Sequence, residues 1–194
     1  DPGGERAASL RARVSLLHVV NGVHLDLIDR ALVEAQRWLT HASDRDPLGV
    51  ATVSTAAAVA ELTHGRLGAA RRFMQAASSA VARSDSAYGR GWVAAMQACV
   101  DLADGDPQAA DTVLSQERPQ VVRAVGERAA IVSTMDFVHA RALLDLGREA
   151  AARETALRGL AQANIHGVNE TAHHGLAACV GLWDGSADSA FAPL

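Results

Sequence analysis

The sequence predicts an all-α fold, a right-handed superhelical solenoid of about four to five antiparallel helix pairs. A motif of the form small-x-x-x-Leu-x-x-Gly-x-x-x-x-Ala recurs about every forty residues, a period typical of helical repeats. Aromatic residues make up only 4% of the chain while hydrophobic residues make up 49%, and the abundant alanines favour close-packed helices over sheet. Within each segment, apolar residues recur at helical spacing.

The motif is clearest at Ala98, Leu102, Gly105 and Ala110. Ala98 and Leu102 are one helical turn apart and share a face. Gly105 follows at the position where helices commonly end in a left-handed residue, and Ala110 begins the buried face of the returning helix. The unit is therefore a tight helical hairpin.

Further copies of the motif occupy the same register along the chain. They are Ala58, Leu62, Gly65 and Ala70; Ala140, Leu144, Gly147 and Ala152; Ala178, Leu182, Gly185 and Ala190; and a weaker first copy, Ser15, Val19, Gly22 and Leu27. We interpret the five glycines of the motif as successive hinges of stacked helix pairs.

The first three helices follow from this division. Helix one covers residues 5–20, with Leu10, Val14, Leu17 and Asn21 as one edge of the apolar face that it is expected to bury. The second helix follows Gly22 and is predicted to pack through a stripe of Leu27, Ala31, Ala35, Trp38 and Ala42. A loop over 43–46 leads to the Asp-Pro pair at 46–47, which is typical of a capped helix start, and the third helix ends at Gly65.

The fourth helix is predicted to bury Leu67, Ala70, Met74, Ala77 and Val81 and to leave Arg66, Arg71, Arg72 and Arg83 outside. A cluster at 84–86 links it to the fifth helix, which should be firm over 92–103 because Gly89 and Gly91 weaken its start.

The remaining helices are less regular. The sixth should be short because Pro119 interrupts it, leaving 119–126 as the most irregular joint. The seventh, over 127–146, is the longest candidate. An eighth helix follows Gly147 and ends at 164–167, and a ninth runs from Asn169 to Trp183.

We expect residues 1–194 to form a single helical-repeat domain, with 1–4 disordered and 186–194 a truncated last repeat. The last apolar face is then uncovered, whereas solenoids normally end in a polar cap. The chain is therefore expected to be a fragment of a longer one, with an uncapped C-terminal end open to self-association.

Charge and cysteine content limit the function classes. The net charge is −4, which gives no reason to expect contact with nucleic acid or an anionic membrane. All basic residues apart from histidine are arginine, which excludes a P-loop lysine or a lysine Schiff base. No apolar run reaches membrane-spanning length. Cys99 and Cys179 are expected to be reduced core thiols of a cytoplasmic protein.

The repeat resembles the tetratricopeptide family, in which Gly opens the hairpin turn and Ala five residues later begins the second helix. The chain differs in its period, near forty instead of thirty-four, and in lacking the large aromatic near the start of each first helix. Ser54, Ala94 and Asp136 stand at that position.

Longer, Ala-rich repeats of this kind are similar to the tetratricopeptide-like region of large bacterial LuxR-type regulators of the maltose-activator class. The segments closest in character are ALLDLGREAAARETALRGL and NIHGVNETAHHGLAACVGLWDG. Such regulators carry an ATPase domain before the repeats and a DNA-binding helix-turn-helix after them. The resemblance implies a ligand- or protein-binding sensor or coupling region of a transcriptional regulator, with no direct nucleic-acid contact by this segment.

In tetratricopeptide proteins the first helix of each hairpin lines a concave surface. Superposed on that arrangement, the inward positions are Thr52, Thr55, Val59, Trp92, Cys99, Phe137 and Arg141. The aromatic pair with an arginine suggests a pocket for a small effector or a peptide carboxylate. Alternatively, Trp92 and Phe137 pack between hairpins and Arg141 pairs with a neighbouring acid.

Neither a metal site nor an active site is expected. His166, Glu170, His173 and His174 are at helical spacing, but His166 precedes the helix and adjacent histidines diverge on its surface. No nucleophile, base and orienting group are spaced to meet, so we expect no enzyme and no cofactor. The alternative to the sensor region is a free-standing interaction scaffold whose groove holds a peptide or helix.

Overall fold

The computed structural model describes residues 2–41, 46–162 and 175, and over these ranges the fold is all-α, as predicted. The helices are α1 Pro2–His24, α2 Ile28–Thr40, α3 Pro47–Thr63, α4 Leu67–Val81, α5 Ala87–Ala103, α6 Pro107–Val125, α7 Ala130–Asp145 and α8 Glu149–Gln162. The chain divides into two compact units, Asp1–Met96 and Gln97–Leu194, and α5 is shared between them.

The predicted hinges at Gly65, Gly105 and Gly147 are confirmed. Their φ angles are +70°, +78° and +71°, a left-handed conformation that glycine adopts without a steric penalty. Each glycine amide donates to the carbonyl three residues earlier, and the next amide donates to the carbonyl five residues before it. This is the hydrogen-bond pattern that commonly ends a helix at a left-handed residue, and it reverses the chain into the next helix.

The predicted first hinge, Gly22, is wrong. Gly22 lies inside α1, and the left-handed residue is Asp26, with φ +59°. Asp26 makes the same pair of turn hydrogen bonds as the later hinges, since its amide donates to Val23 and the next amide to Gly22. A carboxamide or carboxylate side chain tolerates this conformation better than most. Ala31, five residues on, is buried like Ala70, its counterpart after Gly65.

Gly22 has a different role. A Cβ there would lie 3.0 Å from that of Ala31, so the missing side chain allows α1 to approach α2 closely. The N-terminal unit then packs around a core drawn from three helices: Val19, Ile28, Leu32, Ala35, Trp38, Val53, Ala57 and Ala60. The Trp38 indole nitrogen donates to the Ala12 carbonyl at 2.9 Å, which fixes α2 against α1.

The predicted buried face of helix one is also wrong. Leu10, Val14 and Leu17 are 54%, 51% and 55% exposed, because α1 turns its opposite side toward α2 and α3. The stripe of the second helix is largely confirmed, with Ala31, Ala35 and Trp38 buried. Leu27 precedes α2 and is exposed, and Ala42 lies outside the described residues.

The capped starts are confirmed where Asp-Pro was expected to begin a helix. The carboxylates of Asp46 and Asp106 accept hydrogen bonds from the amides of Gly49 and Ala109 at 2.8 and 2.9 Å. α4 buries the predicted stripe except for Leu67, which is half-buried. α5 begins earlier than predicted, at Ala87, because the Ser86 hydroxyl accepts from the Gly89 amide at 3.0 Å and stabilises the first turn.

Pro119 does not shorten the sixth helix, contrary to prediction. α6 runs through it to Val125, and residues 119–125 are helical. Proline has no amide hydrogen, so the Ser115 carbonyl lacks its usual helical hydrogen bond. Ser115 and Pro119 are both exposed, and water can hydrate that carbonyl. The opposite face is held by buried Leu114 and Val121, and this tertiary packing outweighs the local cost of proline.

The seventh helix is shorter than predicted. Gly126, at φ +88°, ends α6, and α7 begins only at Ala130. α7 packs on α6 and α8, and residues from Ile131 to Asp136 are buried without interruption. The expected end of helix eight and the Gly185 hinge lie outside the described residues, as does the predicted ninth helix apart from Gly175, which is helical.

Replacing Gly65 by Ala should lower the free energy of unfolding by about 1–2 kcal/mol, since only the left-handed backbone is at stake. A Cβ at Gly65 would meet nothing within 4 Å. Gly68→Ala is the matched control, because Gly68 has an ordinary helical φ and only Arg72 Nη1, at 3.9 Å, nearby. It should be neutral or stabilising by up to about 1 kcal/mol. Urea unfolding of both variants checks this, and equal effects would contradict it.

Candidate binding groove

A groove opens in the C-terminal unit between the end of α5 and one face of α7. It encloses about 420 Å³, within the range of small-molecule sites. Its lining residues are Cys99, Leu102, Ala103, Phe137, Val138, Ala140, Arg141, Leu144 and Asp145. Most of these side chains are apolar, and the two charged ones belong to the last two turns of α7.

Phe137 forms the aromatic wall of the groove. It packs beside Ala140 with Leu160 of α8. Its ring also lies against Gly175, where an added Cβ would come within 2.6 Å of Phe137 Cε2. The position of the ring therefore depends on the absence of a side chain at residue 175.

Arg141 and Asp145 place charge at the groove. Arg141 Nε donates to both carboxylate oxygens of Asp145 at 3.0 Å. The two side chains are 67% and 36% exposed, so this pair contributes little to stability. The ion pair occupies Nε alone and leaves the terminal guanidinium nitrogens of Arg141 without a partner among the described residues.

The thiol of Cys99 contributes an apolar, unreactive surface. It is a free cysteine. Burial and, to a smaller extent, the negative charge of Asp101 raise the pKa of the Cys99 thiol to about 11. Because only the thiolate is a good nucleophile or metal ligand, Cys99 is chemically inert at neutral pH.

The structure brings together three of the residues predicted from the sequence: Cys99, Phe137 and Arg141. Arg141 has the neighbouring acid that the alternative interpretation expected, yet it also lines the groove. Thr52 and Thr55 belong to the N-terminal unit, and each hydroxyl donates to the carbonyl four residues earlier at 2.8 Å. Trp92 is on α5 in the same unit and is half-buried, as is Val59 on α3.

The side of α7 that faces α6 and α8 carries charged residues. Asp136 is fully buried. Arg118 of α6 holds it with two hydrogen bonds, Nε to Oδ1 at 2.6 Å and Nη2 to Oδ2 at 2.9 Å. Arg158 of α8 donates to Oδ1 at 3.1 Å, and Arg118 also reaches Glu127 at 3.1 Å. We call these four residues the Asp136 cluster, and it joins three helices.

A second polar group, the Asp111 cluster, lies nearer the start of α6 and the end of α7, and it includes Arg148 from the turn before α8. His139 Nε2 and Arg148 Nη1 contact the two oxygens of Asp111 at 2.8 and 2.7 Å. Ser115 donates to the same carboxylate at 3.3 Å. Burial alone would raise the pKa of Asp111, but the hydrogen bond and charge of His139, with Ser115 and Arg148, lower it below its ordinary value.

The Asp111 cluster holds the residue types of a catalytic triad without its geometry. A triad needs the serine on one imidazole nitrogen and the carboxylate on the other. Here both contact Nε2 of His139, with Ser115 at 3.5 Å, and Nδ1 is buried with no hydrogen-bond partner among the described residues. Arg148 further holds the carboxylate. The cluster is therefore a structural connection between helices.

Sequence reasoning missed both clusters. Asp111, Ser115 and Arg118 are spaced four and three residues apart on α6, so they share one face. Asp136 and His139 are three apart on α7. The signal that could have revealed the clusters is a charged residue within an otherwise apolar helical face. In the sequence, Asp136 stands out only because it occupies the position at which tetratricopeptide repeats have a large aromatic.

The sequence predicted neither a metal site nor a membrane-spanning helix. His166, Glu170, His173 and His174 lie outside the described residues. Among the residues that are described, no group of three or more His, Cys, Asp or Glu could hold a metal ion. None of the described helices has both the length and the apolar character needed to cross a membrane.

Comparison of the chain with protein-family models, with curated proteins and with solved structures returned no match.

Replacing Asp136 by Ala should destabilise the protein by roughly 3–5 kcal/mol, since it removes the buried carboxylate that Arg118 and Arg158 share and leaves only Glu127 to pair with Arg118. The matched control is Asp145→Ala, which removes an exposed carboxylate from the same helix and should cost less than about 1 kcal/mol. Urea unfolding measures both. A loss of under 1 kcal/mol for Asp136→Ala would mean that the cluster is not the main connection between these helices.

Acid should weaken the Asp111 cluster. The folded-state pKa of Asp111 lies below the unfolded value of about 3.9. Its carboxylate therefore stabilises the folded state fully above about pH 5, and this contribution is lost as the pH falls through the folded-state pKa. The difference in unfolding free energy between the natural chain and Asp111→Asn, measured from pH 7 to pH 3, should shrink with acidification. A constant difference would refute this.

Proposed function

We propose that this chain is a helical-repeat binding module whose groove between α5 and α7 takes a small molecule with an apolar body and an anionic group. The observation that carries the proposal is the groove itself, about 420 Å³ of space walled by Leu102, Phe137 and Leu144. The terminal nitrogens of Arg141, which have no partner among the described residues, suit a carboxylate or sulfonate. Apolar walls with few polar groups are typical of ligand sites.

The two clusters prepare α7 for this role. Asp136 joins one side of the helix to α6 and α8, and His139 joins it to Asp111 of α6. Phe137, Arg141 and Leu144 are spaced four and three residues apart, so they project together on another side. A wall that is already positioned loses little conformational entropy when a ligand binds.

We further propose that the module is the sensor or coupling region of a bacterial transcriptional regulator and acts in the cytoplasm. The recurring hinges at Gly65, Gly105 and Gly147 support the helical-hairpin repeat that the resemblance implies. A ligand held between α5 and α7 would favour one spacing of the two helices. A ligand shifts a conformational equilibrium only if it binds one conformation more tightly than the other. The effector would therefore stabilise the spacing of α5 and α7 that it binds more tightly.

A free-standing interaction scaffold is the alternative. In that case the same apolar groove would hold a side chain from a peptide or helix, with Arg141 contacting its carboxylate. Both alternatives use the same residues, so the chemical nature of the occupant distinguishes them.

Replacing Ala103 by Phe should block the groove. Ala103 is exposed at the last residue of α5 and lines the opening, so a phenyl ring there would fill space without disturbing the core. The probe is 1-anilinonaphthalene-8-sulfonate, an apolar anion whose fluorescence rises on binding. We expect at least roughly tenfold weaker binding by the variant, since the probe loses most of its buried contact.

Ala124→Phe is the control, because Ala124 is exposed on α6 and does not line the groove. It should leave probe binding unchanged. Equal binding by both variants would show that the probe does not occupy the groove. Calorimetry with candidate effectors and with peptides ending in a carboxylate then separates the sensor from the scaffold.

The regulatory role is tested separately, by transcript profiling of cells that carry Ala103→Phe in the natural gene. A profile equal to that of Ala124→Phe cells would contradict a role in transcription and leave groove binding intact.

A further inference from the structure

α1 has two apolar faces, of which one is packed. Leu16, Val19 and Val23 lie on the side that contacts the N-terminal core, where the close approach at Gly22 also falls. Leu10, Val14 and Leu17 lie on another side and are each more than half exposed. Large apolar side chains that are exposed side by side along a helix form a patch, and such a patch commonly marks an interaction surface.

The exposed face has the spacing of a coiled coil. Leu10, Val14, Leu17 and Asn21 are separated by four, three and four residues, which places them at successive d, a, d and a positions of a heptad. A β-branched residue at a with Leu at d favours two-stranded coiled coils, and a polar Asn at an a position specifies register. We call these four residues the α1 heptad face.

Basic residues flank the α1 heptad face on both sides. In the same register Arg11 and His18 occupy e positions and Arg13 occupies a g position. All three are exposed. Neither Arg11 nor Arg13 has an ion-pair partner within the described part of the chain, and Glu34 of α2 instead contacts Ser15 and Arg37.

This charge pattern argues against a second copy of the chain as the occupant. In a parallel pair of two copies, g and e positions meet, so Arg13 would face His18 and find no acidic partner; in an antiparallel pair, like positions meet, so arginine would face arginine. Like charges at these positions are destabilising. The complementary partner is a helix with acidic residues at its e and g positions.

We propose that the α1 heptad face docks an acidic amphipathic helix of another protein, in a two-stranded coiled coil separate from the groove of the C-terminal unit. The apolar contacts come from Leu10, Val14 and Leu17. Glu or Asp side chains of the partner pair with Arg11 and Arg13, and a polar residue of the partner stands opposite Asn21.

The test uses the full chain and two synthetic helices of three heptads each. Both carry Val at a positions, Leu at d positions and one Asn at an a position; one has Glu at every e and g position and the other has Lys. Calorimetry should show that the Glu peptide binds roughly tenfold more tightly than the Lys peptide. The reason is that the basic residues of α1 attract the Glu side chains and repel the Lys side chains at two to three exposed contacts. Leu17→Ser should weaken both without changing thermal unfolding, since the side chain is 55% exposed.

Charge reversal provides a gain of function that loss of folding cannot imitate. The double variant Arg11→Glu with Arg13→Glu should bind the Lys peptide more tightly than the Glu peptide. Arg72→Glu with Arg123→Glu is the matched control, because both arginines are exposed on α4 and α6 and the change in net charge is the same. The control should keep the preference for the Glu peptide.

Three other outcomes would overturn the proposal. The first is no binding of either peptide, or equal binding of both. A second is tighter association with phosphatidylserine vesicles than with the Glu peptide, lost in the Arg11 and Arg13 double variant, which would make the face a membrane surface. The third is concentration-dependent dimerisation of the chain alone that Leu17→Ser abolishes.

Discussion

The hairpins of the described chain depend on one backbone constraint, a single left-handed residue at the end of the first helix. Asp26, Gly65, Gly105 and Gly147 all satisfy it, and the same two amide-to-carbonyl hydrogen bonds follow each time. The turn ends the helix and pairs carbonyls that would otherwise lack partners. Because the turn has a fixed length, the alanine five residues later always comes back to the same place, where it is buried.

The C-terminal unit adds a constraint from polar side chains to this backbone constraint. Asp136 is fully buried and shared by arginines of two other helices. A buried ion pair is weak evidence for stability, because desolvation offsets most of the attraction. Its contribution here is geometric: α7 can satisfy Asp136 only in one rotation and one register relative to α6 and α8. The face that lines the groove is thereby also set.

The repeat made much of the fold predictable from the sequence. The motif glycines 65, 105 and 147 predicted the turns correctly, and Asp-Pro predicted the helix starts correctly, since both signals act locally. The first hinge was missed because Asp26 can adopt the same conformation without being glycine, so a search for glycine passed over it. Pro119 misled for the opposite reason: its local penalty is real, but packing of Leu114 and Val121 outweighs it.

The candidate site was only partly predictable, for a similar reason. The spacing of Phe137 and Arg141 on one helix indicates a shared face, and the groove contains both. The clusters that hold this face required knowing which residues of α6 and α8 lie opposite α7, and helical periodicity gives no information about pairing between helices. Arg118 and Arg158, apart in sequence, meet at Asp136 only through the tertiary packing.

α1 and α7 differ in how many of their faces have a partner. α7 is buried on most sides, and its buried polar residues Asp136 and His139 fix its orientation. α1 has a second apolar stripe, whose residues Leu10, Val14 and Leu17 would lose roughly 1 kcal/mol or more each in transfer free energy by staying half in water. An amphipathic helix with one packed face needs only one such stripe. The second stripe, bordered by arginines and interrupted by Asn21, has the composition of a surface selected for a specific helical partner rather than for the core.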